Sequence, residues 1–249
     1  MSGHSKWATI KHKKGAADKA RGKLFAKLIR QVEVAAREGG GDPDTNPTLR
    51  TMFQKARDNS VPLDTIERAI KRGTGELEGV TYESITYEGY APHGVALLIE
   101  VLTDNRNRTG SEIRTIFTRN AGSMAEPGAV AWQFERRGVV IVPGSFPEDD
   151  LMLVALDNGA DDIIDEGDTW RVTSDPSALA DLREALDAAD VPVDSSEVSM
   201  VPTTTIPLGD AQAAGAVLKV LELIEDHDDV QAVHANFDIP DDVLRSVEV

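Results

Sequence analysis

Between Ala16 and Glu38 the apolar residues Leu24, Phe25, Leu28, Ile29, Val32, Ala35 and Ala36 recur at three- and four-residue spacing, which predicts an amphipathic helix. Gly39-Gly40-Gly41 then removes every helix former and ends it. A second helix opens with Asn46 as N-cap and Pro47 at the first helical position, where the missing proline N–H costs nothing. Leu49, Met52, Phe53 and Ala56 form its apolar face. A third begins near Pro62, carries Ile66, Ala69 and Ile70, and closes at Gly73. Three stripes of this kind bury one another, so residues 16–75 are expected to form a small helical domain.

The period then changes from helical to alternating. VTYESITYEGY and GVALLIEVLTDN predict two strands joined across Ala91-Pro92-His93-Gly94, the second apolar enough to be central in a sheet. A helix over about residues 109–120 follows, with Ile113, Ile116 and Phe117 inward, and Ser123–Glu126 reads as a loop. Residues 131–201 alternate strand (131–134 and 138–142), helix (148–158), strands (162–165 and 169–173), helix (176–189) and strand (196–201). That order, β-α-β-β-α-β, is ferredoxin-like. A strand near 203–207, a helix of about 210–226 and a strand at 230–237 complete the chain. Joined to the elements of 81–121, they make a second α/β unit interrupted by the first. The expected fold class is therefore α+β with three domains: an N-terminal three-helix domain and two ferredoxin-like α/β domains, one inserted in the other. The boundaries are a basic arm (1–15), the helical domain (16–75), an α/β domain from 80–130 and 202–249, and an insert at 131–201.

Charge changes this picture more than composition does. The chain of 249 residues carries a net charge of -17, yet its first thirty residues hold nine Lys or Arg against the single acid Asp18. By region, residues 1–75 hold 16 basic and 8 acidic side chains, whereas residues 139–249 hold 4 and 26. Cations set against phosphates release condensed counterions, so the basic end points to nucleic acid. On a helical wheel, Lys19, Lys23, Lys27, Arg30 and Arg37 fall opposite the apolar stripe of the first helix, as a basic ridge. Trp7 in the preceding arm stacks on a base or pins the arm to the helices. Arg106 and Arg108, at the start of the helix near 109, hold a phosphate, or belong to a loop stabilised by Asp104 and Asn105.

Other chemistry finds little support. No cysteine is present, which removes disulfides and thiolate sites and suits a reducing cytoplasm. There is no apolar run long enough to span a bilayer, and no secretory signal pattern. The GTGELEG stretch at 73–79 follows a helix and lacks G-K-[ST], so it reads as an interdomain linker. The paired acids Asp149-Asp150, Asp161-Asp162, Asp165-Glu166 and Asp228-Asp229 lack a calcium-loop frame and read as a solvated acidic surface. His227 and His234 lack a zinc-helix frame, and no nucleophile elbow occurs. No enzyme activity, cofactor or metal is expected.

GHSKWATIKHKK, DKARGKLF at 18–25, AAREGGGDPDTNPTLR at 35–50, IERAIKRGTG at 66–75, YEGY at 87–90, LTDNRNRT at 102–109 and DNGADDI at 157–163 together resemble the YebC family of bacterial regulators. The mitochondrial translational activator of cytochrome oxidase belongs to the same family. The resemblance spans nearly the whole chain and implies three domains and non-enzymatic cytoplasmic work in gene expression. Members are described as DNA-binding transcriptional regulators, and relatives as ribosome-bound factors that help translate difficult sequences such as proline runs. Its basic arm and first helix correspond here to Lys6, Lys11, Lys13, Lys14, Lys19, Arg21, Lys23 and Lys27. With His12, Arg30, Arg106 and Arg108 these form the candidate nucleic-acid-binding set. Partners are ribosomal RNA, with or without a whole ribosome, or DNA; an acidic module that binds a basic protein is the competing reading. The chain departs from the family at Ala91–Gly94, Ser60-Val61-Pro62 and Ser123–Glu126.

Overall fold

The computed structural model describes residues 17–247. The chain is mixed α+β. Its helical region contains α1 (Ala17–Gly39), α2 (Pro47–Asp58) and α3 (Leu63–Gly73), which bury Leu28, Val32, Ala36, Leu49, Ala56 and Ile66 between them. Leu24, expected on the buried stripe, is exposed. Asn46 caps α2 by accepting from the Leu49 amide at 3.0 Å, and its own amide donates to the carbonyls of Ala35 and Gly40, both at 2.8 Å. One buried side chain thus closes α1 and opens α2. At the end of α3, a Cβ on Gly73 would press on the Glu33 carbonyl and lie 2.8 Å from Ala36 Cβ, so glycine lets the two helices touch. Gly73→Ala is expected to cost about 1–3 kcal/mol by overpacking. Urea unfolding checks this, and a wild-type midpoint would refute the close-approach argument.

The first sheet is antiparallel throughout, in the order β3-β1-β2-β9, with β1 at Glu83–Tyr90, β2 at Ala96–Thr103, β3 at Ser123–Ala125 and β9 at Val230–Ala235. β2 is central, as its composition predicts. Leu97, Ile99 and Val101 face a core shared with α4 (Arg106–Arg119), α7 (Ala211–Glu225) and α8 (Asp241–Ser246), while Ala96 and Leu98 pack on Val130 and Phe134 at the other face. β4 (Phe134–Pro143), α5 (Glu148–Asp157), β5 (Ala160–Asp165), β6 (Thr169–Ser174), α6 (Leu179–Ala188) and β7 (Ser195–Pro202) form the second sheet, ordered β5-β6-β4-β7. In each sheet a β-α-β crossover leaves a gap that a third strand fills: β1 lies between β2 and β3, and β6 between β4 and β5.

Four local expectations need correction. Ser123–Ala125 is an edge strand and not a loop; Gly89 opposite it has no side chain, and a Cβ there would sit 2.5 Å from the Phe117 ring. The helix expected from 109 starts at Arg106, because Asn105 caps it through the Arg108 amide at 3.1 Å. Residues 131–133 form a 3-10 turn before β4 instead of a strand. The strand expected at 203–207 shrinks to β8 (Ile206–Pro207), which pairs in parallel with β10 (Phe237–Asp238) outside both sheets. Asn236 causes that break: its side chain accepts from Ala96 N at 2.7 Å and its carbonyl from Ile206 N at 2.7 Å.

Candidate nucleic-acid interface

The basic ridge of α1 faces protein. Lys23 Nζ lies 2.7 Å from Asp226 Oδ1 and donates to the Asp226 carbonyl at 2.9 Å, and Lys27 donates to the Glu225 carbonyl at 2.7 Å. Arg30 donates to the Asp228 carbonyl and to Asp229 Oδ1, both at 2.8 Å, with its guanidinium 5.4 Å from the Tyr82 ring. These acceptors stand at the C-terminal end of α7, a helix with no cation of its own in the last turn. Carbonyls at a helix end lack intrahelical donors and carry the negative end of the macrodipole. Three cations of α1 supply both the donors and the charge.

Asp229 is the centre of this contact. It is buried, and besides Arg30 it accepts from Arg108 and Thr109 at 2.7 Å and from Thr103 at 3.2 Å, all three at Oδ2. Burial alone would raise its pKa; the hydrogen bonds from Thr109 and Arg108 and the charges of Arg30 and Arg108 overcome that and lower it to about 2. The backbone N–H of Asp229 donates to His227 Nδ1 at 3.1 Å. A neutral His227 ring therefore carries its proton on Nε2, which lies 2.8 Å from Glu112. A polar cleft of about 530 Å³ runs along this seam between Lys23, Tyr82, Arg108 and Glu112. Its walls hold both signs of charge.

The placement of the candidate set is therefore uneven. Lys6, Lys11, His12, Lys13 and Lys14 lie outside the described residues, as does the side chain of Lys19. Lys23, Lys27 and Arg30 meet the 225–229 turn. Arg108 bridges Asp104 and Asp229, which is the loop-stabilising alternative, while Arg106 is exposed beside Tyr87. Arg21 is exposed, as are Arg57 of α2 and Lys71 of α3. The expectation that Asp228-Asp229 is simply solvated surface fails for Asp229. The expected linker at 73–79 is also held: a Cβ on Gly79 would meet Glu33 at 2.9 Å, and just beyond it Arg37 donates to the Val80 carbonyl at 3.1 Å.

Sequence reasoning passed over two further residues. Glu88 is buried, with its carboxylate held by the amides of Gly128, Val130 and Ala131. Just beyond that loop Trp132 is 71% exposed, its indole N–H spent on the Ala129 carbonyl at 3.0 Å, which leaves the ring face open for stacking. A signal for Glu88 lay in the YEGY motif. A three-residue turn hid Trp132 inside an apparent strand.

These features define a class: an α+β chain whose cationic helical region is bolted by ion pairs onto an acidic body of two antiparallel sheets. The chain belongs to the TACO1/YebC family. Residues 5–76 match the family's "TACO1/YebC protein N-terminal domain" and residues 82–237 its "TACO1/YebC second and third domain". A protein of Acidothermus cellulolyticus is 57% identical over 249 residues, covering 99% of this chain and 100% of that one. A protein of Halothermothrix orenii is 52% identical, covering 99% of both chains. Both are named "Probable transcriptional regulatory protein". The crystal structure of a conserved hypothetical protein from Aquifex aeolicus superposes with a TM-score of 0.81 at 43% identity, covering 90% of this chain and 93% of that one. Among the described residues no helix is long and apolar enough to cross a membrane.

Proposed function

We propose that the chain is a non-enzymatic regulator of gene expression that holds nucleic acid through its N-terminal basic residues and the exposed cations of its helical region. The carrying observation is the polarity of charge: 16 basic against 8 acidic residues in 1–75, and 4 against 26 in 139–249. The acidic body repels phosphate and so orients the basic end toward it. Because Lys23, Lys27 and Arg30 are spent on the 225–229 turn, the phosphate-binding surface is the arm together with Arg21, Arg57 and Lys71. Such a surface supplies affinity and position but no base reading, which favours structured RNA, recognised by shape and backbone. Ribosomal RNA is the target in this reading, and the role we propose is assistance to translation of sequences such as proline runs, as the family resemblance implies. Duplex DNA is the second reading, favoured by the names of the relatives.

Equilibrium binding to ribosomal subunits, ribosomal RNA and duplex DNA over a range of salt separates the two. Affinity kept on ribosomal particles near physiological salt and lost on DNA supports the first; retention on one duplex sequence over others replaces it with the second. Neutralising Lys11, Lys13 and Lys14 should collapse binding to every nucleic acid. In Arg57→Ala/Lys71→Ala the log–log salt slope should fall by about one for each cation that meets a phosphate. An unchanged slope would remove α2 and α3 from the interface.

A further inference from the structure

Helix α5 is apolar on both sides. Leu151 and Ala155 point into the core of the second sheet, as an inner face should. On the opposite side, Met152, Leu153 and Leu156 are 40%, 70% and 47% exposed. With Asp149 they occupy positions i, i+3, i+4 and i+7, one continuous stripe. The outer face of a surface helix is ordinarily polar. Three large apolar side chains gathered on one exposed face mark a place where another molecule sits.

The surroundings say what kind. Glu148, Asp149 and Asp150 occupy the first turn of α5 and Asp157 its last position. The neighbouring helix α6, packed against α5, exposes Asp181, Glu184 and Asp187, of which, among the described residues, Asp187 alone is paired with an arginine, Arg183. An acidic rim around an apolar stripe excludes nucleic acid, whose phosphates it repels. It also disfavours a second copy of this chain joined by a two-fold axis, which would set the rim against itself. What complements it is a helix with apolar residues along one side and Lys or Arg flanking them: apolar contact supplies burial, and the rim selects the sign of the partner.

We propose that the outer face of α5 is a docking surface for a lysine- and arginine-rich amphipathic segment of a protein partner. This surface shares no residue with the cationic set of the helical region, so, resting on the nucleic-acid reading proposed above, the chain joins a nucleic acid to a basic protein segment. Leu153 is the central anchor, being the most exposed of the three.

Fluorescence anisotropy with the full chain tests this, using a labelled designed peptide of leucine and lysine at helical period. The control is a scrambled peptide of the same composition. The proposal expects the helical peptide to bind at least about tenfold more tightly than the scrambled one, and Leu153→Ser to weaken it by about tenfold or more. Asp149→Asn/Asp150→Asn should weaken it less, and mainly at low salt. Leu153 is mostly exposed, and an unchanged thermal midpoint for Leu153→Ser would show that the fold is intact. Equal binding of both peptides would reduce the surface to bare charge and overturn the proposal, as would equal binding by wild type and Leu153→Ser, or no binding at all. Sedimentation showing a wild-type dimer that Leu153→Ser converts to monomer would assign the face to a second copy instead.

Discussion

Replacing Asp229 by asparagine is expected to lower the unfolding free energy by about 2 kcal/mol at neutral pH and to flatten the acid limb of the stability curve. The magnitude follows from the carboxyl itself, whose pKa falls from 3.8 to about 2 on folding, each unit being worth about 1.4 kcal/mol. Since the folded value lies below the unfolded one, this stabilisation is complete above about pH 4 and disappears as pH falls through 2. Asparagine offers one acceptor oxygen where the carboxylate has two. Its amide donors would confront either Arg30, or Arg108 and Thr109, which donate to opposite oxygens of Asp229. The two arginines retain access to water, with side chains 22% and 43% exposed, which keeps the loss below that of breaking a fully buried pair. Asp228→Asn is the control, because that side chain is exposed and only its carbonyl serves Arg30. Denaturant unfolding of all three proteins from pH 2 to 7 reads both effects. If Asp229→Asn and Asp228→Asn behave alike, the buried network does not hold the helical region to the sheets.

Local sequence does not distinguish Asp229 from its neighbour. Asp228 and Asp229 are chemically identical neighbours, and what separates a solvated carboxylate from a buried one is Arg30, 199 residues away from Asp229. Local pattern cannot carry that distance. It does carry whatever is repeated within a turn or two: the Asn46-Pro47 start of α2, the apolar run of β2, and the strand–helix order that yields β5-β6-β4-β7. Three-residue β3 and two-residue β8 are too short to show any period, so neither is legible in the sequence. The ridge on α1 shows the limit of a helical wheel. The wheel gives the correct angle for Lys23, Lys27 and Arg30 but is silent on what waits there. A complementary signal was present in Glu225-Asp226-His227-Asp228-Asp229, four acids in five residues directly after a helix with no cation in its last turn. Matching that cluster against the cations of α1 would have suggested that part of the basic surface serves the fold and not a ligand.

The second large effect is expected at Glu88, where alanine should cost about 3 kcal/mol. Gly128 N donates to Oε1 at 2.6 Å, and Val130 N and Ala131 N donate to Oε2 at 2.6 and 2.9 Å. Burial opposes the charge, yet the three amides hold the pKa of Glu88 below its ordinary value. Alanine would leave three donors without an acceptor at a site whose side chain is buried, each costing about 1–3 kcal/mol if no water reached it. Partial opening of the loop brings the total down to the stated figure. Glu88→Gln keeps one carbonyl oxygen, sufficient for Val130 and Ala131 but not also Gly128, so it should fall between wild type and alanine. The more specific readout is amide hydrogen exchange. In Glu88→Ala the amides of Gly128, Val130 and Ala131 should exchange faster under conditions where β2 stays protected. Uniform acceleration across the first sheet would mean that Glu88 stabilises the fold generally and does not fix this loop. The distinction matters because the loop feeds directly into Trp132 and β4. A carboxylate in β1 thereby sets both the position of an exposed indole and the entry of the chain into its second sheet.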